Sequence, residues 1–247
     1  MQSGAGKGDW VMKNLLCVLL LAPMLALANG PELHLDRVPD KSGDVAALQH
    51  GAQLFVNYCL NCHSASYMRY NRLTDLELSE QDIRDNLLFT AEKIGEPMTI
   101  AMRRADAKQW FGVAPPDLTV IARSRASAAG SGGVWLYTYL RSFYRDDTRP
   151  SGWNNTVFPN VGMPHVFWEL QGEQVLGEDH HLKLSVAGKL KPEAYDAAMA
   201  DLVAYLQYMG EPVAPVRKRL GVFVLLFLAG FLVLAYALKR EFWKDIH

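Results

Sequence analysis

The stretch Cys59-Leu60-Asn61-Cys62-His63 sets two thiols three positions apart and follows the second at once with an imidazole. The chain has three cysteines, and Cys17 lies inside an apolar leader, so Cys59 and Cys62 are the thiols left to the segment that follows it. A disulfide across two intervening residues closes too small a loop to gain much chain entropy. A tetrahedral zinc site wants four ligands, usually from a second Cys/His pair at similar spacing, and the other close pair here, His180-His181, is adjacent instead. A thioredoxin-like motif needs a βαβ setting, which the pattern lacks, and leaves His63 without a role. Covalent haem c uses all three side chains: the thiols add to the two vinyl groups on one porphyrin edge, and the histidine falls beneath the iron.

Outward from this motif, 247 residues at 50% hydrophobic and 21% charged bound the chain to one sizeable core plus extras and exclude a disordered protein. Met12 to Ala28, MKNLLCVLLLAPMLALA, carries a lysine, an apolar run and a small-x-small ending. It predicts a signal peptide over residues 1–28, with residues 1–11 as an extension ahead of it and an uncleaved anchor as the competing reading. Leu220 to Leu238 contains no charge; at ~1.5 Å per residue those residues reach ~28 Å, enough to cross a ~30 Å hydrocarbon layer. Arg217, Lys218 and Arg219 flank one end and Lys239, Arg240 and Lys244 the other, so flanking charge alone does not orient the helix. Export by the leader does. Residues 29–216 then form an exported domain, and residues 217–247 an anchor with a short cytoplasmic tail.

The sixth position of a haem iron separates an electron carrier, closed by methionine, from a site open to small ligands. Met68 is too near the motif to reach the other haem face. Met199 and Met209 fall on the apolar stripe of a helix opened by Pro192 and closed by Gly210. Met98 and Met102 share helical spacing. Met163 lies in FPNVGMPHVFW, where Gly162 admits close approach and Pro164 stiffens the exit. It leads the candidates; His165 is the rival ligand, read by default as a solvated or hydrogen-bonded loop histidine. Residues 44–58 read as a helix delivering the motif, capped by Asp44 or Ser42. SRASAAGSGG reads as a small-residue loop, and no alternating strand of useful length is predicted. A phosphate loop, a nucleophile triad and a basic nucleic-acid stripe are all missing from the pattern, so no nucleic acid is expected as a partner.

Taken in order, NYCLNCHSASYMRYNRL, APPDLTVIARSR, FPNVGMPHVFW and RKRLGVFVLLFLAGFLVLAYALKREFW resemble the cytochrome c1 family, the haem subunit of the ubiquinol:cytochrome c oxidoreductase, or cytochrome bc1 complex. The resemblance covers nearly the whole mature chain and implies a mainly α fold. That fold is a class I-like c-type cytochrome domain wrapped around one haem c, with a single C-terminal transmembrane helix. It implies Cys59 and Cys62 as attachment sites, and His63 and Met163 as iron ligands. It also implies Pro115 and Pro116, with Asp117, against the haem, and an arginine on a propionate, Arg125 as the better match and Arg123 as the alternative. Relatives commonly have a tyrosine near the propionates where this chain has Trp135. The segment from Arg72 to Trp110 is shorter than in mitochondrial relatives, pointing to a bacterial form: inner membrane, single pass, haem domain in the periplasm.

The implied function is to take one electron from the Rieske iron-sulfur protein and pass it to a soluble or anchored c-type cytochrome, while cytochrome b performs the quinol chemistry. On that reading the chain is a redox subunit without substrate chemistry of its own. The competing readings are a tethered cytochrome c of another respiratory complex and a haem peroxidase. The exported segment carries a net charge of −6, with Asp75, Glu77, Glu80, Asp82 and Asp85 clustered, a field suited to steering a basic partner.

Overall fold

A computed structural model describes residues 33–244, so the leader, with Cys17 and the expected cleavage after Ala28, lies outside the described residues. Helix α1 (Val45–Leu54) starts where the Asp44 carboxylate accepts the Ala47 amide at 3.1 Å, which decides between the two cap candidates. It widens into a π-helical turn, Phe55–Cys59, closed by the Leu60 amide donating to the Phe55 carbonyl at 3.0 Å. Strand β1 (Ala65–Arg69), a 3-10 turn (Tyr70–Leu76), α2 (Glu80–Asn86), β2 (Pro97–Met98), α3 (Arg104–Phe111) and α4 (Ile121–Ser124) follow. Next come α5 (Gly132–Arg141), β3 (Phe143–Arg145), β4 (Trp153–Asn155) and α6 (Trp168–Gln171). The chain continues through β5 (Gly172–Leu176), β6 (Leu182–Ala187), α7 (Pro192–Gly210) and α8 (Ala214–Phe242).

The core forms where α1 crosses α7. At Gly51 the helices are so close that a Cβ would collide with the Asp201 carbonyl oxygen and come within 2.7 Å of the Tyr205 Cβ. Leu48, Ala52, Phe55, Leu202 and Tyr205 are buried around the crossing, with the Phe55 and Tyr205 rings 5.6 Å apart. Burying each large side chain there contributes roughly 1.5–3 kcal/mol. The Asp201 carboxylate beside them is paired by Lys41 at 2.5 Å and His50 at 2.8 Å, as a carboxylate taken from water must be. Gly51→Ala gains about 1 kcal/mol of helix propensity, but the new methyl meets backbone that cannot rotate away. The clash wins: a net loss of about 2 kcal/mol is expected, seen as a melting temperature lower by roughly 6 °C. An unchanged or raised melting temperature would mean that the helices separate there freely.

The sequence predicts no useful strand, whereas the described residues hold three two-stranded antiparallel sheets. The longest pairs β5 with β6, from Gly172↔Ala187 to Leu176↔Leu182. Leu182, Leu184 and Val186 do alternate with Lys183 and Ser185, but Leu184 is 46% and Val186 54% exposed, so the alternation does not sort core from solvent. What fixes the hairpin is its base, where Gly172 sits at φ +91° and a Cβ would collide with the Val186 carbonyl. Met98 is likewise a buried strand residue, not a helical one, and Met102 lies in the loop before α3. The expected small-residue loop also gives way. Ser131 accepts the Val134 amide at 3.3 Å and Gly132-Gly133 become the first turn of α5, where a Cβ on Gly132 would strike the Ala122 carbonyl.

Met199 and Met209 pack in the core as their spacing predicts. Helix α8 extends the uncharged run at both ends, takes in Arg217–Arg219 and Lys239–Arg240, and has no buried residue from Val216 to Phe242. Its apolar surface is the kind that lipid covers.

Candidate functional site

The π-helical turn ends at Cys59, whose carbonyl accepts the amides of both Cys62 (3.1 Å) and His63 (2.9 Å). Those two bonds wind the motif into a single tight turn. Both thiols are free, Cys59 buried and Cys62 half-buried. Burial, with Cys62 adding to it, pushes the Cys59 thiol up to about 12, and burial also raises Cys62. Both thiols are therefore protonated at neutral pH in the haem-free chain.

His63 is oriented by the next segment. Its Nδ1 lies 2.7 Å from the Pro116 carbonyl oxygen. A carbonyl can only accept, so the ring proton sits on Nδ1 and the Nε2 lone pair is left for an electrophile. Burial lowers the His63 pKa, opposed by the Pro116 bond and the Asp117 charge, which favours the neutral ring. Pro116 is in turn held by Asp117, which accepts the Ser66 amide at 2.8 Å and the Thr119 amide and hydroxyl at 2.8 and 2.6 Å. The Leu118 amide donates to the Ser64 carbonyl at 2.9 Å. Asp117 thus locks the Pro-Pro stretch to the motif and does not line the cavity beside His63.

That cavity measures about 370 Å³ and is bounded by Cys59, Cys62, His63, Pro115, Pro116, Arg125 and Met163, with apolar and aromatic side chains completing its walls. Among the described residues Met163 is the one methionine on its lining. Met68, Met98, Met199 and Met209 are buried in the core, and Met102 borders a separate cavity of about 150 Å³. The Met163 sulfur accepts the Tyr139 hydroxyl at 3.3 Å. At Gly162 a Cβ would lie 3.1 Å from the Val113 side chain, the close approach that the loop composition predicts.

His165 corrects its reading as a solvated or hydrogen-bonded residue. It is 2% exposed, stacks on Phe143 with ring centroids 4.9 Å apart and meets the edge of Trp153, and among the described residues neither ring nitrogen makes a well-formed hydrogen bond, with the Gln171 side chain its nearest polar influence. Burial lowers its pKa to about 4, so it is a neutral packing group at physiological pH. The arginines also separate. Arg125 lies on the cavity, its guanidinium 4.6 Å from the Trp135 ring centroid and 5.6 Å from that of Phe158. Arg123 is exposed and runs against Gly210. Trp135 stacks on Tyr139 at 4.8 Å and 14°. Tyr139 went unread in the sequence, although a spacing of four from Trp135 puts both on one helix face.

Two free thiols on one turn, an imidazole with its Nε2 lone pair unclaimed, a thioether and an arginine around an apolar cavity are the donor set a haem c takes. The Cytochrome C1 family model matches residues 37–246. The chain belongs to the cytochrome c1 family. Cytochrome c1 of Allochromatium vinosum is 48% identical over 241 residues, 93% of this chain and 96% of that one. A protein of Nitrosomonas europaea named ammonia monooxygenase gamma subunit is 51% identical over 238 residues, 96% of this chain and 99% of its own. Cytochrome c1 of Rhodospirillum rubrum is 28% identical over 231 residues, 82% and 83% of the two chains. A cytochrome c1 is the membrane-anchored haem subunit of a cytochrome bc1 complex, carries one covalently bound haem c and transfers electrons. Such a complex also contains cytochrome b and a Rieske protein.

Proposed function

We propose that this cytochrome c1 takes one electron at a time from the Rieske iron-sulfur protein and hands it to a soluble or anchored c-type cytochrome, from a haem domain exported to the bacterial periplasm. Cys59 and Cys62 would form the thioether bonds, His63 and Met163 would ligate the iron, Pro115 and Pro116 would pack against the ring, and Arg125 would meet a propionate. The observation that carries this reading is the shared lining of one cavity by both thiols, His63 and Met163. A haem c supplies an iron that gains and loses one electron without bond making.

The chain's own residues do the rest. The Pro116 carbonyl fixes the His63 tautomer, and the Tyr139 hydroxyl holds the Met163 sulfur. Apolar walls exclude water, and the Arg125 guanidinium, spread over Trp135, supplies a fixed positive charge for a carboxylate. The acidic run around α2 supports steering of a basic acceptor. Asp75 is offset by Arg72 at 2.6 Å and Glu80 by Arg84 at 3.7 Å, while Glu77 and Asp85 have no ion pair among the described residues. Such a field weakens with salt.

Ending the chain after Pro215 tests the tether and the carrier reading together. The shortened protein is expected in the soluble fraction with its haem attached, and slow to bind cyanide in the native state. If it stays with membranes stripped of other subunits, the anchor is misplaced; rapid cyanide binding would favour a haem enzyme.

A further inference from the structure

A buried amide ties down the start of the loop that carries Met163, while Arg149 holds the loop further on through the Asn160 side chain and carbonyl at 3.1 Å each. Asn155 is 1% exposed. Its Oδ1 accepts the amides of Val157 (2.9 Å) and Phe158 (3.0 Å), the first residues of the loop, and its Nδ2 donates to the Tyr139 carbonyl at 2.8 Å. Tyr139 is the residue whose hydroxyl reaches the Met163 sulfur. The contacts therefore close a circuit: loop start to Asn155, Asn155 to the α5 backbone, the Tyr139 side chain to the sulfur, and the sulfur back along the loop. Asn154 extends it, accepting the Asn160 amide at 2.8 Å at the point where Asn160 turns the chain with φ +62°.

We propose that Asn155, acting with Tyr139, is a positioning residue that keeps the Met163 thioether directed at the cavity. This rests on Met163 being the iron ligand. A loop held only by its own backbone would swing the sulfur aside and admit a competing ligand. Here such an opening must leave buried hydrogen-bonding groups of Asn155 and Tyr139 without partners, which disfavours it. The alternative is a purely structural Asn155 that satisfies a carbonyl near the end of α5. That role has a counterpart one residue on, where the Tyr195 hydroxyl donates to the Leu140 carbonyl at 2.8 Å without touching the loop.

The test uses the haem-loaded full chain in detergent. It measures imidazole binding to the ferric protein and the sulfur-to-iron charge-transfer absorption in Asn155→Ala, Tyr139→Phe, Tyr195→Phe and Met163→Leu. Tyr139→Phe loses a single hydroxyl, so it carries the test where Asn155→Ala fails to assemble. Both are expected to bind imidazole roughly tenfold faster with a weakened band, while Tyr195→Phe binds at the unmodified rate. Unmodified rates and band in Asn155→Ala and Tyr139→Phe overturn the brace, as does equal acceleration in Tyr195→Phe. Met163→Leu separates the two readings: a band surviving there removes the ligand assignment itself, whereas a band lost there but intact in the brace variants removes the brace alone.

Discussion

Met163→Leu should lower the haem midpoint potential by on the order of 100 mV or more, within the ~0.8 V that axial ligands span. Thioether sulfur favours ferrous over ferric iron, so deleting it withdraws the stabilisation that makes a haem a good acceptor of Rieske electrons. The fold should tolerate the change. Leucine for methionine nearly conserves volume and costs below about 1.5 kcal/mol, and the Tyr139 hydroxyl left without the sulfur costs about 1 kcal/mol more. Both are small beside the 5–15 kcal/mol of an ordinary domain. The iron should then accept exogenous ligands. Met98→Leu, in the buried core, and Met102→Leu, on the smaller cavity, should leave the potential nearly where it was. Potentiometric titration of the three variants decides the matter: an unaltered midpoint in Met163→Leu with a large shift in either of the others would move the ligand.

The second large effect is on maturation. On the proposed attachment, Cys59→Ala or Cys62→Ala should leave one thioether, and the double substitution none. The thiols must be reduced when they meet the haem, because a disulfide between them blocks both additions. Without covalent haem the domain surrounds an empty cavity of about 370 Å³. The apolar walls of that cavity then face water instead of the haem, so the double variant should accumulate poorly as well as lack bound haem. Haem remaining with the polypeptide after acid-acetone extraction is the measurement. Full retention in the double variant would refute the attachment sites.

The parts of the fold legible in the sequence were those with a strong local signature. The start of α1 near Ser42 or Asp44, the Pro192–Gly210 helix and the uncharged run of α8 each follow from propensity and periodicity within one segment. The cofactor was legible because haem c is the chemistry that uses both thiols and the histidine of Cys59–His63, and the family match bears out the haem. What escaped depends on neighbours distant in sequence. The β5–β6 hairpin is fixed by backbone contact between Gly172 and Val186, and the glycines of α5 start a helix because the chain at Ala122 leaves no room for a side chain. His165 looks like a loop histidine, yet Phe143 and Trp153 enclose it. Asn155 was unreadable as a site residue and Tyr139 carried only its spacing from Trp135, since each is defined by a hydrogen bond to another segment. The resemblance already favours Arg125 over Arg123, and packing adds the reason: Arg125 lies on the cavity and Arg123 against α7.

The most direct test of the electron-transfer role is reduction of the haem by quinol in the detergent-solubilised complex, followed with and without the Rieske subunit. The chain should copurify with cytochrome b and the Rieske protein, and its haem should become reduced within turnover times when a quinol is added. With the Rieske subunit removed, quinol should leave the haem oxidised, although a chemical reductant still reduces it. Rapid reduction by quinol without the Rieske subunit, or purification of the chain with a different set of redox partners, would contradict the account.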